Sequence, residues 1–277
     1  MNFLASSTGA RLAFDDTGSG LPVVFLHPTP IDHEYWHPLI ERVPGIRAIA
    51  IDLRGHGASE LGAALPVGGF GRVADAPVLT MRQLAQDVLE ILDHLAVRQT
   101  VFVGCSIGGY VLLELWRQAP ERMRGLAFIC SKPQPDTEAG LVKRVANIKQ
   151  ARSGSIDAMF DGMTQVLIGA TARSQRPAIV NEIRSHMTLT QDALIAVQAG
   201  LAARPDSVPT VFAIEVPVLA VAGEEDGSVT PSEMDAFRAA PGGCEYRLLP
   251  HAGHFAAFEQ PGNVAEILNQ WLIRFQR

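Results

Sequence analysis

The sequence predicts an α/β fold, namely a mostly parallel β-sheet flanked by helices, with a block of helices inserted near the middle. Short apolar runs bounded by turn residues alternate with stretches of helical periodicity along most of the 277 residues, the pattern typical of a parallel sheet. This alternation stops once, over a central block of helical periodicity, and then resumes. Hydrophobic residues make up 47% of the chain against 19% charged residues, which is the balance of a globular protein with a sizeable core.

Six apolar runs rich in β-branched residues predict buried strands. These are Val23–His27, Ile46–Leu53, Thr100–Cys105, Leu126–Cys130, Val216–Gly223 and Glu245–Leu249. Ahead of them, Asn2–Ala5 and Arg11–Asp15 flank a Ser-Thr-Gly turn and predict an antiparallel hairpin that opens the sheet. The clearest helix is Thr80–Leu95, where apolar residues fall on one stripe and Thr80 can cap the first turn.

The central block carries helical periodicity alone. It covers roughly residues 137–151, 155–168, 175–187 and 190–203, with no strand pattern between them. Because strand patterning returns at 216–249, the block is not a separate C-terminal domain. We therefore predict a helical cap at 132–214, inserted into an α/β core formed by residues 1–131 and 215–277.

Residues 60–79 form the one long stretch without periodicity, and loops of that length are often functional or mobile. Within this stretch, segment 69–74 (G-F-G-R-V-A) resembles a dinucleotide-binding fingerprint. No predicted strand precedes it and no βαβ unit encloses it, so we interpret it as loop composition.

The charge, the cysteines and the apolar runs of the sequence indicate which binding partners and which cellular compartment to expect. The formal charge of −6 is scattered, and no run of Lys and Arg marks a phosphate-binding face, so nucleic acid is not an expected partner. Cys105, Cys130 and Cys244 form neither a CxxC pair nor a disulfide framework, which fits a reducing compartment. Residues 1–20 lack the pattern of a signal peptide, and no apolar run reaches the length of a membrane span. We therefore expect a cytoplasmic protein without a membrane partner.

Segment 104–108 reads G-C-S-I-G and lies between a predicted strand and a predicted helix. A turn this tight packs its apex against both neighbouring segments, which leaves no room for Cβ atoms at Gly104 and Gly108. The hydroxyl of Ser106 is then held in the open, at a helix N-terminus that favours developing negative charge. The motif predicts a nucleophilic serine, whereas the side chain of Cys105 should point away from the apex and stay buried and inert.

A serine hydroxyl becomes a nucleophile when a base takes its proton, and that base is usually a histidine oriented by a carboxylate. Asp226 follows the strand Val216–Ala222, and His254 lies between the last strand and the final helix. Loops at the C-terminal ends of parallel strands meet at one edge of the sheet, so these side chains should converge with Ser106. The chain thus offers a nucleophile, an orienting acid and a base in the order Ser106, Asp226, His254.

These features resemble those of the α/β-hydrolase superfamily, and the resemblance covers nearly the whole chain. Segment 26–30 (L-H-P-T-P) looks like its oxyanion segment, and segment 52–59 (D-L-R-G-H-G-A-S) is similar to the run that follows its next strand. Within the superfamily the chain resembles the 3-oxoadipate enol-lactonase and related small-ester hydrolases, whose helical cap lies where residues 132–214 fall. The chain departs from the pattern at Pro28, where many members have a small residue, and at His251, where Gly is usual.

Neighbouring residues compete for two of the three roles. His251 lies three positions before His254, and Glu224 and Glu225 directly precede Asp226. The Gly-His pair at 253–254 resembles the end of the superfamily's Gly-x-Gly-His motif, which favours His254 as the base. Glu224 and Glu225 are expected on the end of the preceding strand, which favours Asp226 as the acid.

The resemblance implies hydrolysis of a small carboxylic ester or lactone through an acyl-enzyme. Ser106 would attack the carbonyl carbon, His254 would accept and return the proton, and Asp226 would orient the imidazole. Backbone N–H groups of Ile107 and Thr29 would bind the oxyanion. The expected partner is a small-molecule ester or lactone, and neither a metal nor an organic cofactor is expected.

Other interpretations stay open at this point. Fold and triad do not fix the acyl group or its acceptor, so the same residues support C–C bond hydrolysis, amide or carbamate cleavage, acyl transfer and perhydrolysis. A ligand receptor that retains a slow triad would release one equivalent of product without turnover. In the cap, Phe160, Met163, Leu167 and Met187 either line an apolar pocket over Ser106 or only pack the cap helices together.

Segment 33–37 (H-E-Y-W-H) matches H-E-x-x-H, the zinc-protease signature. That chemistry needs both histidines on one face of a continuous helix. Pro38 disfavours the α conformation at His37, so we expect a loop that leads into a helix beginning near Pro38. Without a helix the two histidines share no face, and we predict no zinc site here.

Overall fold

The protein is represented by a computed structural model that describes residues 1–62, 67–70, 73–154 and 156–276. The strands within these residues are β1 (Asn2–Ala5), β2 (Arg11–Gly18), β3 (Leu21–Leu26), β4 (Ile46–Ile51), β5 (Val67–Phe70), β6 (Val73–Pro77), β7 (Thr100–Cys105), β8 (Met123–Ile129), β9 (Val218–Gly223) and β10 (Cys244–Leu249). The α-helices are α1 (His37–Ile40), α2 (Met81–His94), α3 (Ile107–Gln118), α4 (Glu138–Ser153), α5 (Ile156–Leu167), α6 (Ala170–Gln175), α7 (Ile179–Ser185), α8 (Gln191–Ala202), α9 (Val208–Val211), α10 (Pro231–Met234), α11 (Ala256–Glu259) and α12 (Pro261–Leu272). Among these described helices, none is both long enough and apolar enough to cross a membrane.

One sheet of eight strands, in the order β1-β2-β4-β3-β7-β8-β9-β10, forms the centre of the described chain. β1 pairs antiparallel with β2, and β2 antiparallel with β4, whereas the remaining pairs of this sheet are parallel. Every residue of β7 and β9 is buried, which is the pattern of central strands covered on both faces. The predicted fold class, a mostly parallel sheet flanked by helices, is confirmed.

The predicted strands are all present, and their ends are adjusted by pairing with neighbours. β7 has the predicted bounds, whereas β8 begins at Met123 instead of Leu126, because Met123 pairs with Thr100 at the start of β7. Helix α2 begins as predicted, since Thr80 Oγ1 accepts a hydrogen bond of 3.1 Å from the backbone N–H of Gln83. Sequence patterns therefore located these elements to within a few residues.

Between β8 and β9 the described chain forms helices and no strand. Helices α4, α5 and α8 lie close to the predicted positions, and α4 packs along α8. The helix expected over 175–187 is shorter and begins later, and an additional short helix precedes it, because Pro177 provides no N–H and restricts the residue before it. Helix α6 therefore ends at Gln175, and α7 begins at Ile179. The assignment of residues 132–214 as an inserted cap stays a prediction.

Segment 60–79 is described in part, since residues 63–66 and 71–72 lie outside the described residues. Within it, β5 and β6 pair antiparallel as a two-stranded ribbon. The fingerprint-like run 69–74 includes residues 71–72, so its interpretation as loop composition concerns residues that lie outside the described part of the chain.

The expected loop over segment 33–37 is wrong. His33–Trp36 form a 3₁₀ helix, and His37 begins α1 with φ −54° and ψ −47°. Pro38 lies in the first turn of α1, where a backbone N–H has no helical acceptor to lose. The rings of His33 and His37 are consequently neighbours, with centroids 5.3 Å apart.

A buried ion pair joins three separate parts of the core. Arg54 Nε lies 2.7 Å from Asp87 Oδ2, and Arg54 Nη2 lies 2.5 Å from Asp87 Oδ1. Arg54 Nη2 also donates to the hydroxyls of Ser6 and Thr8, in the turn between β1 and β2. Both charged side chains are almost fully buried. The loop after β4 is thereby tied to α2 and to the first hairpin.

We expect Asp87→Ala to lower the free energy of unfolding by about 3–5 kcal/mol, because it leaves the Arg54 guanidinium buried without its carboxylate. Urea denaturation followed by circular dichroism measures the change. Asp235→Ala is the matched control, since Asp235 forms an exposed pair with Arg238 and such pairs contribute little. Equal shifts of the midpoint in the two variants would contradict the structural role of Arg54.

Candidate active site

Ser106 lies at the apex of the turn between β7 and α3, with φ 52° and ψ −115°. A Cβ atom on Gly104 would lie 2.6 Å from the carbonyl carbon of Gly108, and one on Gly108 would overlap the carbonyl oxygen of Leu26. Both glycines are therefore needed for β7, α3 and β3 to approach this closely. The backbone N–H of Ser106 donates to the carbonyl of Ile129 at 3.1 Å, which ties the apex to β8.

His254 and Asp226 form a buried, hydrogen-bonded pair. His254 Nδ1 lies 2.8 Å from Asp226 Oδ2, and the two side chains are 2% and 0% exposed. Asp226 Oδ1 accepts hydrogen bonds from the backbone N–H groups of Ser228 and Val229, at 2.7 and 2.9 Å. Because a carboxylate is an acceptor, Nδ1 of the neutral ring carries the proton and Nε2 carries a lone pair. The pair is therefore oriented with Nε2 as a proton acceptor.

The competing residues lie outside the cavity that contains Ser106 and His254. The side chain of His251 is 68% exposed, and its Nδ1 lies 3.8 Å from the carboxylates of Glu224 and Glu225. These three side chains do not line the cavity around Ser106, whereas His254 does. This placement favours His254 over His251 as a base for Ser106.

Thr29, the residue expected to supply an oxyanion N–H, lines the same cavity as Ser106. Its hydroxyl is held by His56. The Nδ1 atom of His56 lies 3.1 Å from the carbonyl oxygen of Arg54, which assigns the ring proton to Nδ1. His56 Nε2, 3.0 Å from Thr29 Oγ1, therefore accepts the hydroxyl proton. Thr29 is thus positioned by its hydroxyl, and its backbone N–H is the group left to act as donor.

A second buried histidine anchors the start of this loop. His27 Nε2 accepts a hydrogen bond of 2.9 Å from the backbone N–H of Leu53, and Nδ1–H donates to the carbonyl of Pro28 at 2.9 Å. Burial lowers the pKa of His27 and lowers the pKa of His56 to about 3. Both rings are therefore neutral near pH 7, and each keeps one donor and one acceptor nitrogen for the loop.

Ile107, the other expected oxyanion donor, is the first residue of α3 and is fully buried. The first N–H groups of a helix have no acceptor within the helix. The N–H of Ile107 is accordingly available to a ligand beside Ser106, with the positive end of the α3 dipole behind it.

Cys105 precedes Ser106 and is buried, as predicted. The hydroxyl of Tyr35 donates to Cys105 Sγ at 3.4 Å, and burial raises the pKa of the thiol well above its usual range. A thiol is nucleophilic as the thiolate. Cys105 is therefore not a competitor of Ser106.

The sequence did not indicate Glu259, which holds the loop before His254. Glu259 Oε2 accepts hydrogen bonds from the backbone N–H groups of Gly253 at 2.8 Å and Gly169 at 3.2 Å. Burial raises the pKa of Glu259. The backbone N–H of His254 donates to the carbonyl of Leu167 at 2.8 Å, so the helical block contacts the same loop. Glu259 ends α11 two residues before Pro261, and this local sequence carries no signal of its burial.

Ser106, His254 and Thr29 line one cavity of about 420 Å³, within the size range of small-molecule sites. Side chains from α4, α5 and α8 form the facing wall, namely Lys143, Arg144, Asn147, Met159, Met163, Val166, Leu167, Leu194, Gln198 and Leu201. The wall is therefore apolar along α5 and mixed where α4 meets α8.

Of the four residues of the helical block considered as pocket-lining, two line this cavity. These are Met163 and Leu167, whereas Phe160 and Met187 are buried in the packing of the helical block. The guanidinium of Arg184 lies 5.2 Å from the centre of the Phe160 ring. Helical periodicity alone did not separate these two sets, because both lie on apolar stripes.

A family model described as "Alpha/beta hydrolase family" matches residues 23–267. The chain is 28% identical over 278 residues to a putative 2-succinyl-6-hydroxy-2,4-cyclohexadiene-1-carboxylate synthase of Bacillus subtilis, an alignment that covers 96% of each chain.

Two solved structures extend the comparison. A thermophilic esterase from Thermogutta terrifontis, solved with malate bound, superposes with a TM-score of 0.89 at 27% identity and with full coverage of both chains. The enol-lactonase from Burkholderia xenovorans superposes with a TM-score of 0.85 at 23% identity, covering 98% of this chain and all of the lactonase. At that identity the lactonase shows the shared fold alone.

We expect the buried neutral state of His56 to make the fold sensitive to acid. Its pKa is lowered to about 3 from about 6.5. As the pH falls through this range, the imidazole of His56 becomes protonated in the unfolded chain but stays neutral in the folded chain. The contribution of His56 to the free energy of unfolding is therefore fully present above about pH 6.5. It decreases toward pH 3 by up to about 1.4 kcal/mol per pH unit.

His56→Asn should therefore flatten the dependence of the free energy of unfolding on pH between 6 and 4, as measured by urea denaturation. His251→Asn is the matched control, since that side chain is exposed. If both variants keep the wild-type slope, His56 does not set the acid sensitivity.

Proposed function

The chain belongs to the alpha/beta hydrolase family, and on that premise we propose that it hydrolyses a small carboxylic ester or lactone through an acyl-enzyme on Ser106. The observation that carries the proposal is the bond between Asp226 and His254, which leaves His254 Nε2 as a base in the cavity that contains Ser106. A histidine held in this way is the group that activates a serine. The esterase relative supports an ester as the target bond.

In this mechanism His254 Nε2 takes the Ser106 proton while Oγ attacks the carbonyl carbon of the substrate. Asp226 stabilises the imidazolium that forms, and its second oxygen stays fixed by two backbone N–H groups. The imidazolium then gives its proton to the leaving alcohol, which departs from an acyl-enzyme on Ser106. Water attacks the acyl-enzyme while His254 takes its proton, and the imidazolium then returns a proton to Ser106 Oγ as the bond to the acyl group breaks and the acid is released.

The tetrahedral oxyanion binds the backbone N–H groups of Ile107 and Thr29. The first N–H group of α3 has no helical acceptor, and the dipole of α3 adds to its effect. Pro28 and Pro30 have no N–H, so Thr29 is the donor of its segment. Its hydrogen bond to neutral His56 keeps it in place during the reaction.

We propose that residues 132–214 act as a cap that encloses the acyl group. Support comes from the side chains of α5 and α8 that line the cavity and from the bond between His254 N and the Leu167 carbonyl. The apolar wall of Met163 and Leu167 suits the hydrocarbon part of a small ester or lactone. Neither the mechanism nor the cavity calls for a metal or an organic cofactor at Ser106.

A second reaction class is favoured by the Bacillus subtilis relative, whose name gives it a synthase activity. Rapid quenching of the protein with p-nitrophenyl esters of increasing chain length, followed by intact-mass spectrometry, separates the possibilities. An acyl adduct on Ser106 with steady release of nitrophenol supports hydrolysis. Absence of both an adduct and nitrophenol release favours the second class, and a single burst without turnover favours a ligand receptor.

We expect a fluorophosphonate probe to label Ser106 and Ser106→Ala to abolish hydrolysis without loss of fold. Asp226→Asn should lower kcat by about 10⁴-fold, because it stabilises the wrong imidazole tautomer. His254→Ala should cost a comparable factor, and His251→Ala, the matched control, should cost little. Peptide mapping of the label and steady-state kinetics measure these effects. A label on Cys105, or His251→Ala behaving like His254→Ala, would overturn the assignment.

We expect Thr29→Pro to lower kcat by about 10²–10³-fold, the usual loss of one oxyanion donor. Thr29→Ala keeps the N–H and loses the bond to His56, so its cost should be smaller. Kinetics are measured on variants whose circular dichroism and melting temperature match those of the wild type. A folded Thr29→Pro protein with wild-type turnover would show that the second donor lies elsewhere.

A further inference from the structure

A cluster of metal-ligating side chains lies outside the cavity that contains Ser106. Asp15 on β2, His33 in the 3₁₀ helix and His37 at the start of α1 each offer one ligand atom, all within 4.8 Å of one another. His33 Nε2 lies 3.3 Å and His37 Nε2 lies 3.4 Å from the same oxygen, Asp15 Oδ2. The helical turn that brings the two imidazoles together is the one that the sequence did not predict.

We propose that Asp15, His33 and His37 bind one divalent transition-metal ion such as zinc. Two ligand atoms about 2.0–2.2 Å from zinc, at a tetrahedral angle, lie about 3.3 Å apart. The two distances to Asp15 Oδ2 match this spacing. Imidazole and carboxylate without thiolate suit Zn²⁺, Ni²⁺ or Cu²⁺, whereas Mg²⁺ and Ca²⁺ prefer oxygen ligands.

The orientation of His33 is fixed by a second carboxylate, as in many metal sites. His33 Nδ1 lies 2.7 Å from Asp52 Oδ1, and the same oxygen accepts the backbone N–H of His33 at 2.9 Å. Asp52 Oδ2 is held by the backbone N–H of Ala58 at 2.8 Å. The proton on Nδ1 therefore points to Asp52, and Nε2 presents its lone pair toward Asp15 and His37.

The cluster is open to an ion from solvent. The side chain of His37 is 43% exposed and that of Asp15 is 21% exposed. Water can therefore complete a coordination shell of three protein ligands. Asp15 Oδ1 lies 2.9 Å from the Met1 nitrogen, which leaves Oδ2 as the oxygen that faces the two imidazoles.

The site differs from a zinc protease in the position of the motif glutamate. Glu34 Oε2 lies 3.4 Å from His186 Nδ1, on the segment after α7, and is not part of the cluster with Asp15. No general base is therefore presented to a metal-bound water by Glu34. Bound metal would link β2 to the segment after the oxyanion loop, which is a stabilising role independent of the reaction at Ser106.

The test uses the full chain, with any histidine tag removed, treated with EDTA and dialysed. Calorimetric titration with ZnCl₂ should give one bound zinc per chain, and MgCl₂ should give no binding. Saturating zinc should raise the melting temperature by about 5 °C or more. Hydrolysis by the EDTA-treated protein should equal that of the untreated protein, so a failed hydrolase assignment and a failed metal site are told apart.

Two ligand variants and two controls locate the ion. His37→Gln changes an exposed side chain, and it should weaken zinc affinity at least 10-fold and remove the rise in melting temperature. Asp15→Asn should do the same, while Glu34→Gln and His251→Gln should bind zinc as the wild type does. Absence of zinc binding by the wild type, or wild-type affinity in both ligand variants, would overturn the proposal.

Discussion

The close packing of the turn that carries Ser106 is the constraint on which the rest of the site depends. Gly104 and Gly108 leave no space for a Cβ atom, so β7, α3 and the end of β3 meet at one point. Ser106 is therefore held at the carboxyl edge of the sheet in a left-handed conformation that few side chains adopt. The same packing brings the loop after β3 and the first N–H group of α3 to the same cavity.

The run from Asp52 to Ser59 after β4 organises the surroundings of that turn through buried polar contacts. Arg54 reaches the first hairpin and α2, His56 holds the Thr29 hydroxyl, and Asp52 holds His33. Each contact satisfies a polar group that would otherwise be costly to bury. A single short segment thus couples the stability of the core to the position of the loop that carries Thr29.

The helical block affects the site in two ways. Its side chains from α4, α5 and α8 form the wall that faces Ser106, and its backbone at Leu167 and Gly169 contacts the loop that carries His254. The buried carboxylate of Glu259 joins the two segments, because it accepts hydrogen bonds from the backbone N–H groups of Gly253 and Gly169. The shape of the cavity and the position of His254 are therefore linked through the same helical block.

The sequence by itself determined the strands and their alternation with helices, because these follow from local periodicity and turn chemistry. The turn motif and the resemblance to a known superfamily singled out Ser106, Asp226 and His254 as candidates. Tertiary structure alone decided three features: Met163 and Leu167 line the cavity while Phe160 does not, Glu259 is buried, and segment 33–37 is helical. Each depends on contacts between residues far apart in the chain. An apolar stripe does not say which neighbour it faces, and a proline rule about one residue is outweighed when Asp52, remote in sequence, holds the helix start in place.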